Sequence, residues 1–388
     1  MHFLKTSVLA AGFFWAPMLS LAQDAGAQGW GPAADSVSIH GYVSSSYHFL
    51  TGPGSGNHAY AFSGAGGKAD RFALDVVSLT FEHPLRDDFF DSGFKAQFWI
   101  GPDAGDLMSD SDGDTDAELS VRNAYIDLRL PFDPSEVASD KSVDLRLGVF
   151  ETPIGRESVD RSKNRHVTHS WGFTLEPTLH TGLLLTLPSQ GHIEDQMDWD
   201  DPWWRLRLGV ANTHDARING SSGNDDRKTL LLAGSASLGE SSGFLKGTEV
   251  SAGYVYGRPH ASSEPVQNLY LGLGRALGEK WTTGLAYDAR LAHGPGNDDS
   301  VLGLYLGREL TPKLDLFFRG EWFEDGAKLF ENESAAEQSD GVGLTVTLDY
   351  QLWEGVRSRL EWRWDKTDAP VNGRHHNQAV IANFIYEF

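Results

Sequence analysis

The last eleven residues, Q-A-V-I-A-N-F-I-Y-E-F at positions 378–388, decide the fold class of this chain. Successive side chains of a strand point to opposite faces, so alternate positions of this stretch share one face. That face is apolar throughout, and it comprises Val380, Ala382, Phe384, Tyr386 and Phe388. Transmembrane β-barrels place aromatic residues at the membrane interface, where their strands end. The stretch therefore predicts the closing strand of such a barrel, with Phe384, Tyr386 and Phe388 as closure residues.

The opposite end of the chain predicts export. Lys5 belongs to a short polar start, residues 8–21 are mostly apolar, and Ser20 and Ala22 provide small residues before a cleavage site. We expect a signal peptide at residues 1–22, followed by a short periplasmic segment at 23–35. The apolar stretch is shorter than the roughly 20 residues of a membrane-spanning helix. If the protein lies in a membrane, we expect it to cross with strands.

The composition is consistent with a barrel that encloses a polar interior. The chain has 43 Gly, 12 Trp, 11 Tyr and 21 Phe, and no linker divides residues 36–388. A mean hydropathy of -0.35 is compatible with a membrane barrel, because only every second residue of a strand must face lipid. The absence of cysteine excludes disulfides and thiolate metal sites. The net charge of -22 argues against a nucleic-acid partner, whose phosphates require a basic surface.

Segments with a period of two occur along the whole chain and predict an all-β, antiparallel barrel of about sixteen strands. They lie near 36–50, 70–83, 89–100, 118–130, 142–151, 178–187, 203–213, 228–238, 248–257, 266–275, 281–291, 300–310, 313–323, 341–351, 355–365 and 378–388.

Several of these segments carry a row of charges opposite a row of apolar residues. A basic residue that faced lipid at the bilayer midplane would cost about 2 to 4 kcal/mol, so the charged rows must face water. The predicted pore-lining residues are Asp127, Arg129, Asp144, Arg146, Arg205, Arg207, Asp315, Arg319, Glu321, Arg357, Arg359, Glu361 and Arg363. A soluble β-sandwich is the alternative, but sandwiches seldom contain so many strands. Some of these charges would serve to pair with one another across neighbouring strands.

Short and long connections between the segments alternate, which is the pattern of bacterial outer-membrane barrels. It predicts short periplasmic turns at 84–88, 276–280, 311–312 and 352–354, and long extracellular loops at 51–69, 101–117, 152–177, 214–227, 325–339 and 366–377. The turns at 132–141 and 188–201 are longer than this pattern expects. Both chain ends would then lie in the periplasm, and the barrel in the outer membrane.

Four sequence blocks resemble the OmpL-like β-barrel porin-2 family. They are G-V-F-E-T-P-I-G-R-E at 148–157, P-T-L-H-T-G at 177–182 with Asn164 and His169-Ser170 before it, I-H-G-Y-V-S-S-S-Y at 39–47, and N-A-Y-I-D-L-R-L-P at 123–131. The resemblance implies an outer-membrane channel for small hydrophilic solutes, without catalytic residues. Arg156 departs from the family pattern, which has an aromatic or small residue at that position.

The loop at 152–177 has the composition of a pore constriction. A connection of this length inside a compact domain is usually functional or disordered, and a barrel of sixteen strands is wide enough to need narrowing. We expect it to fold into the lumen, where its cations would favour anionic or polar solutes through a transverse field. The predicted constriction residues are Arg156, Glu157, Asp160, Arg161 and Arg165. The alternative is a loop that covers the outer mouth and binds neighbouring acidic loops.

Two other chemistries are alternatives to the channel. The acidic stretch 110–118 has alternating aspartates, but its glycine is misplaced for a calcium-binding EF-hand, so we expect a solvated loop and no metal site or cofactor. Ser44 to Ser46 near His48, and His180, suggest a hydrolase only weakly, because no nucleophile elbow is present. An adhesin or structural barrel without an open pore is the remaining alternative.

The expected partners follow from the barrel class. They are outer-membrane lipid, lipopolysaccharide, the barrel-assembly machinery and small hydrophilic solutes. Many porins of this size are trimers, so a homotrimer is a further expectation. We assign its contact to small residues at 233–239 and Gly253, expected on the outer face. Residues 23–35 are too few to form the folded plug of a transporter of about 22 strands.

Overall fold

A computed structural model describes residues 37–51, 68, 70–86, 90–107, 119–131, 142–187, 204–221, 227–260, 262, 264–292, 298–324, 340–371 and 374–388. The predicted signal peptide and the segment 23–35 lie outside the described residues. So do the acidic stretch 110–118 and the two long turns at 132–141 and 188–201. The barrel itself is a single compact unit, Ser38–Phe388.

The described residues form sixteen β-strands. They are β1 Ser38–Thr51, β2 Phe72–His83, β3 Ser92–Ile100, β4 Leu119–Pro131, β5 Ser142–Glu151, β6 Leu179–Leu187, β7 Trp204–Ala211, β8 Thr229–Ser237, β9 Thr248–Gly257, β10 Val266–Leu277, β11 Trp281–Ala292, β12 Asp299–Thr311, β13 Leu314–Glu324, β14 Gly341–Trp353, β15 Val356–Val371 and β16 Arg374–Glu387. Two short helices, α1 Pro102–Leu107 and α2 Trp171–Leu175, and a 3₁₀ turn, Glu240–Leu245, lie between strands. No helix among the described residues is long and apolar enough to cross a membrane.

The strands close into one antiparallel barrel, as the alternating pattern predicted. Each strand pairs with the next in the chain, and β16 pairs with β1, so the sheet has no free edge. Closure pairs residues 42–51 of β1 with residues 378–387 of β16, whose backbone groups an open edge in lipid would leave without partners. The final pairing sets Tyr386 opposite Val43 and Phe384 opposite Ser45.

The last residue takes part in this closure directly. The Phe388 amide donates to the Gly41 carbonyl oxygen at 3.0 Å, and the Gly41 amide donates to the Phe388 carbonyl oxygen at 3.0 Å. Gly41 is needed at this point, because a Cβ there would lie 2.1 Å from the Ser78 carbonyl oxygen. The end of the chain is therefore held in the ladder between β1 and β16.

The two faces of the closing strand are as predicted. Phe384, Tyr386 and Phe388 are 53%, 53% and 54% exposed on the outer surface. Asn383, with the opposite parity, is fully buried inside the barrel and donates to Ser44 at 2.9 Å. The apolar row thus faces outward, and the polar row faces the interior.

One predicted loop is wrong. Residues 366–377 were expected to form a long extracellular loop, but β15 continues to Val371 and β16 begins at Arg374. Their ladder extends past Lys366, which pairs with His376, to Val371, which pairs with Arg374. The stretch is mostly polar and lacks the apolar alternation that predicts the other strands.

The short turns follow the prediction more closely, and they gather on the rim that carries Ser38 and Phe388, here called the terminal rim. The turns after β10 and β14 contain Gly278 and Gly355, with φ of 68° and 70°. This left-handed conformation strains residues that have a Cβ, so glycine permits these tight reversals.

Deletion of Phe388 should impair assembly of the barrel. It removes both hydrogen bonds to Gly41, each worth about 0.5 to 1.5 kcal/mol, and one aromatic side chain of the terminal rim. We expect less folded protein in outer-membrane fractions, measured by the heat-dependent mobility of the barrel on gels. Phe388→Tyr keeps the ring and both backbone bonds and is the control. Wild-type assembly of the truncated chain would contradict this role for Phe388.

Candidate constriction site

The connection between β5 and β6, residues 152–178, folds into the barrel and is here called the inner loop. Ile154 packs with Leu231, Ala233 and Val255 of the wall. On another side of the lumen, Val159 and Phe173 belong to an apolar cluster with Tyr42, Val76, Trp99 and Ile385. The inner loop therefore contacts separate parts of the wall, and the prediction that it folds inward agrees with this geometry.

Arginines of the wall bind the backbone of the inner loop. Arg359 Nη1 donates to the carbonyl oxygens of Arg161, Asn164 and His166 at 3.1, 2.9 and 3.0 Å. Arg363 Nη1 donates to the His169 carbonyl oxygen at 2.7 Å. A loop inside a barrel has carbonyl groups without a ladder partner, and these guanidinium groups satisfy them.

Glutamates of the wall accept from the amides of the same loop. Glu361 accepts from the amides of Val167 and Thr168 at 2.6 and 3.0 Å. Glu321 accepts from the Trp171 amide at 2.6 Å, next to its ion pair with Arg319. Donors and acceptors of the loop backbone thus have charged partners on the wall.

This arrangement corrects part of the predicted pore lining. Arg319, Glu321, Arg359, Glu361 and Arg363 point inward as expected, but each is at most 2% exposed. The inner loop covers them, so they anchor it and are not in contact with the water of the lumen. Strand parity gives the direction of a side chain but does not show which element covers it.

Three of the five predicted constriction residues are also anchors. Arg161 is 1% exposed, and its Nε lies 2.7 Å from Asp103 Oδ2, so the prediction that it faces the passage is wrong. Glu157 pairs with Arg319 at 2.9 Å. Asp160 is buried and accepts from the Ser162 amide at 3.0 Å, which stabilises a turn within the loop.

The exposed residues of the inner loop are all cationic. Among residues 152–178, all of which the structure describes, only Arg156, Lys163 and Arg165 are exposed. The acidic residues of this loop, Glu157, Asp160 and Glu176, are buried or half-buried. Lys163 was absent from the predicted site, although its charge and its place in the loop were visible in the sequence.

A cavity of about 530 Å³ collects these cations with others of the wall. Its charged lining residues are Arg156, Lys163, Arg165, Arg205, Arg207, Arg275, Glu157 and Glu249. Arg205 and Arg207 of β7 therefore lie where the sequence placed them, on the interior face. Asp315 interacts electrostatically with Arg165, and Arg357 donates to the Ser162 carbonyl oxygen at 2.6 Å. Cations outnumber carboxylates in this cavity.

A second cavity, of about 980 Å³, lies beside β1 to β7 and contains paired charges. Arg146 binds Asp127 through two contacts of 2.9 Å, and Arg129 binds Asp144 at 2.8 and 3.0 Å. Each pair joins residues directly opposite each other on β4 and β5. The pairing interpretation therefore holds for these four residues, and their charges largely cancel.

The inner loop ends at a buried pair of carboxyl groups. Glu176 hydrogen-bonds Asp288 of β11, which requires a proton on one of the two groups. Burial, followed by the neighbouring Asp288 and Glu157 carboxylates, raises the pKa of Glu176 well above its ordinary value. Burial and the wall arginines instead lower the pKa of His166, so this histidine stays neutral near neutral pH.

The serine and histidine that the hydrolase alternative places on β1 are buried. His48 Nε2 lies 3.0 Å from Ser46 Oγ, but both residues are buried, and Ser46 donates to Asp75 at 2.7 Å. A substrate therefore has no path to this hydroxyl group. No group of three or more metal-ligating side chains occurs in the described part of the chain.

The expected trimer contact also changes. Ala233 belongs to the apolar cluster beneath the inner loop, and a Cβ on Gly253 would lie 2.2 Å from the Ile154 Cγ2 atom. Both residues therefore face the interior, so the assignment of these positions to an outer contact is wrong.

A family model described as Putative beta-barrel porin-2, OmpL-like, matches residues 36–388 of this chain. The chain belongs to this porin family. The match covers the whole barrel, inner loop included, and it confirms the resemblance carried by the four sequence blocks. No curated protein sequence matches this porin.

Three solved structures share the fold of this porin at low identity. OmpF of Salmonella typhi is 11% identical with a TM-score of 0.59, over 92% of this chain and 99% of that one. An anion-selective porin from Comamonas acidovorans is 11% identical with a TM-score of 0.58, over 91% and 99% of the two chains. OmpT of Vibrio cholerae in its trimer form is 13% identical with a TM-score of 0.56, again over 91% and 99%.

Arg161→Met should loosen the inner loop, because it removes one of the two buried cations that pair with Asp103. Removal of one partner of a buried ion pair typically costs about 3 to 5 kcal/mol. Lys163 and Arg165 are exposed trypsin sites next to this anchor. We expect faster tryptic cleavage within the loop, seen as two barrel fragments after denaturation. Lys313→Met, which removes an exposed cation of a turn, is the control, and equal cleavage of both variants would contradict the anchoring role.

Anchoring of the loop end should weaken as the pH rises. Glu176 holds its proton in the folded loop, whereas a released loop would ionise near the ordinary glutamate pKa. The stabilisation is therefore complete below that ordinary pKa and is lost as the pH rises towards and through the raised pKa. We expect single-channel current noise to increase at alkaline pH.

Glu176→Gln is neutral at every pH and should flatten this dependence. Glu354→Gln, which alters an exposed carboxylate of a turn, should retain the wild-type profile. Identical pH profiles for all three proteins would show that the carboxyl pair does not control the loop.

Proposed function

We propose that this porin forms a water-filled channel in the bacterial outer membrane, through which small hydrophilic solutes diffuse passively with a preference for anions. The family assignment supports the channel. The single observation that carries the anion preference is that the exposed residues of the inner loop are Arg156, Lys163 and Arg165.

Three carboxylates near this path are already paired with arginines and therefore oppose the cations weakly. Glu157 is bound to Arg319, and Asp127 and Asp144 are bound to arginines of the neighbouring strand. Arg156 and Arg165 instead stack on aromatic rings, at 4.5 Å from the Tyr305 centroid and 4.8 Å from the Phe317 centroid. Such stacking orients a guanidinium group and leaves its charge available to a solute.

Electrostatic focusing then favours anions within the lumen. A passage lined by one sign of charge between low-dielectric walls concentrates ions of the opposite sign. The preference belongs to the passage and not to the whole protein, whose net charge is -22. It should therefore weaken at high salt, because ions screen exposed charges over about 10 Å at 0.1 M ionic strength.

The remaining assignments follow from the same proposal. The outer band of apolar and aromatic side chains would contact outer-membrane lipid, and the long loops would contact lipopolysaccharide. Assembly would require the barrel-assembly machinery. The channel would have no enzymatic activity, and a homotrimer is proposed from the trimer form of a structural relative.

Removal of the three loop cations should abolish or reverse the anion preference. We expect the reversal potential of Arg156→Gln/Lys163→Gln/Arg165→Gln in planar bilayers under a salt gradient to shift towards cation selectivity. The control is Lys246→Gln/Lys280→Gln/Lys313→Gln, which removes the same formal charge from exposed turns of the terminal rim.

The two parts of the proposal have separate tests. Equal reversal potentials for the loop and turn variants would overturn the anion preference. Liposome swelling in neutral sugars tests the open channel itself, and liposomes that do not swell would overturn passive diffusion.

A further inference from the structure

The wall formed by β9 to β12 has glycines at interior positions next to the inner loop. They include Gly253, Gly272, Gly274, Gly284 and Gly303. Glycine weakens the interior of a strand and often marks a place where another group approaches the backbone closely. Gly274 of β10 and Gly284 of β11 are directly opposite partners in the ladder.

The group that approaches this pair of glycines is the Arg156 guanidinium. A Cβ on Gly284 would lie 2.2 Å from Arg156 Nη2 and 2.5 Å from Arg156 Cζ. A Cβ on Gly274 would lie 4.0 Å from Nη1, which is an ordinary contact. Nη1 also donates to the Leu273 carbonyl oxygen at 3.2 Å.

We propose that Gly274 and Gly284 form a notch that positions Arg156, and that Gly284 is thereby a selectivity-determining residue of the channel. This inference rests on the proposed anion preference. In the notch the guanidinium lies against the wall, and Tyr305 covers one side of it. The passage is therefore wider than it would be if the guanidinium extended into the lumen. Arg156 is exposed and lines the cavity together with Glu249 of β9, so its charge is directed to the lumen.

A methyl group at Gly284 would displace the guanidinium without disturbing the barrel. Gly284 has no positive φ, so alanine fits its backbone conformation. The atoms that would clash belong to the far end of a flexible side chain, which can move into the lumen. The displaced Arg156 would then narrow the passage and extend its charge further into it.

Single-channel measurements should show effects of different size for three glycine-to-alanine variants. Gly284→Ala should lower the conductance and raise the anion-to-cation permeability ratio by about twofold, a typical size for coupling between residues in contact. Gly274→Ala should have a smaller effect, because its Cβ makes only an ordinary contact. Gly234→Ala of β8, whose Cβ would point away from the lumen, is the control for the glycine-to-alanine change itself, since the nearest atom to its Cβ is 3.5 Å away.

A double-mutant cycle separates positioning of Arg156 from a general change of the wall. In an Arg156→Ala background, Gly284→Ala should alter neither the conductance nor the permeability ratio, because no guanidinium remains to be displaced. Heat-dependent gel mobility of every variant checks that the barrel has folded.

The outcomes also separate this inference from the proposed function. If the triple loop variant loses anion preference but Gly284→Ala behaves like Gly234→Ala, the notch is overturned and the proposed function stands. If Gly284→Ala has the same effect with and without Arg156, the notch is overturned as well. If the triple loop variant keeps its selectivity, the proposed anion preference fails first.

Discussion

The structure depends on the hydrogen bonding of the inner-loop backbone by charged side chains of the wall. Backbone polar groups inside a barrel need partners, and a loop that crosses the lumen has no strand ladder to supply them. Arg359 and Arg363 donate to its carbonyl oxygens, while Glu321 and Glu361 accept from its amides. Because donors and acceptors are both supplied, the loop can lie inside the barrel in one conformation.

This constraint separates the charges of the inner loop into two groups. Glu157 and Arg161 are held by Arg319 and Asp103, so they leave the water and serve the fold. Arg156, Lys163 and Arg165 remain exposed. Anchoring therefore removes acids and one arginine from the passage and leaves cations there. The electrostatic field in the lumen therefore depends on which charged residues anchor the loop.

The two sides of the lumen hold the inner loop by different means. The wall from β13 to β16 carries long charged side chains that hold the loop, whereas the wall from β9 to β12 has glycines against which Ile154 and Arg156 pack. A sheet that is rich in glycine on its interior face lets a loop approach closely. The inner loop is thus placed by charge on one side and by the absence of side chains on the other.

The sequence by itself determined the barrel, its strands and the pairing of its ends. Alternation in 378–388 assigned Phe384, Tyr386 and Phe388 to the outer face, since the period of two is a local property of a strand. Local patterns also located the inner loop and its cations. Only the tertiary structure decided which charges meet water, because Arg161 and Arg165 look alike in sequence and only the former lies beside Asp103. The tertiary structure also placed Arg156 against Gly284, a contact that joins residues far apart in the chain.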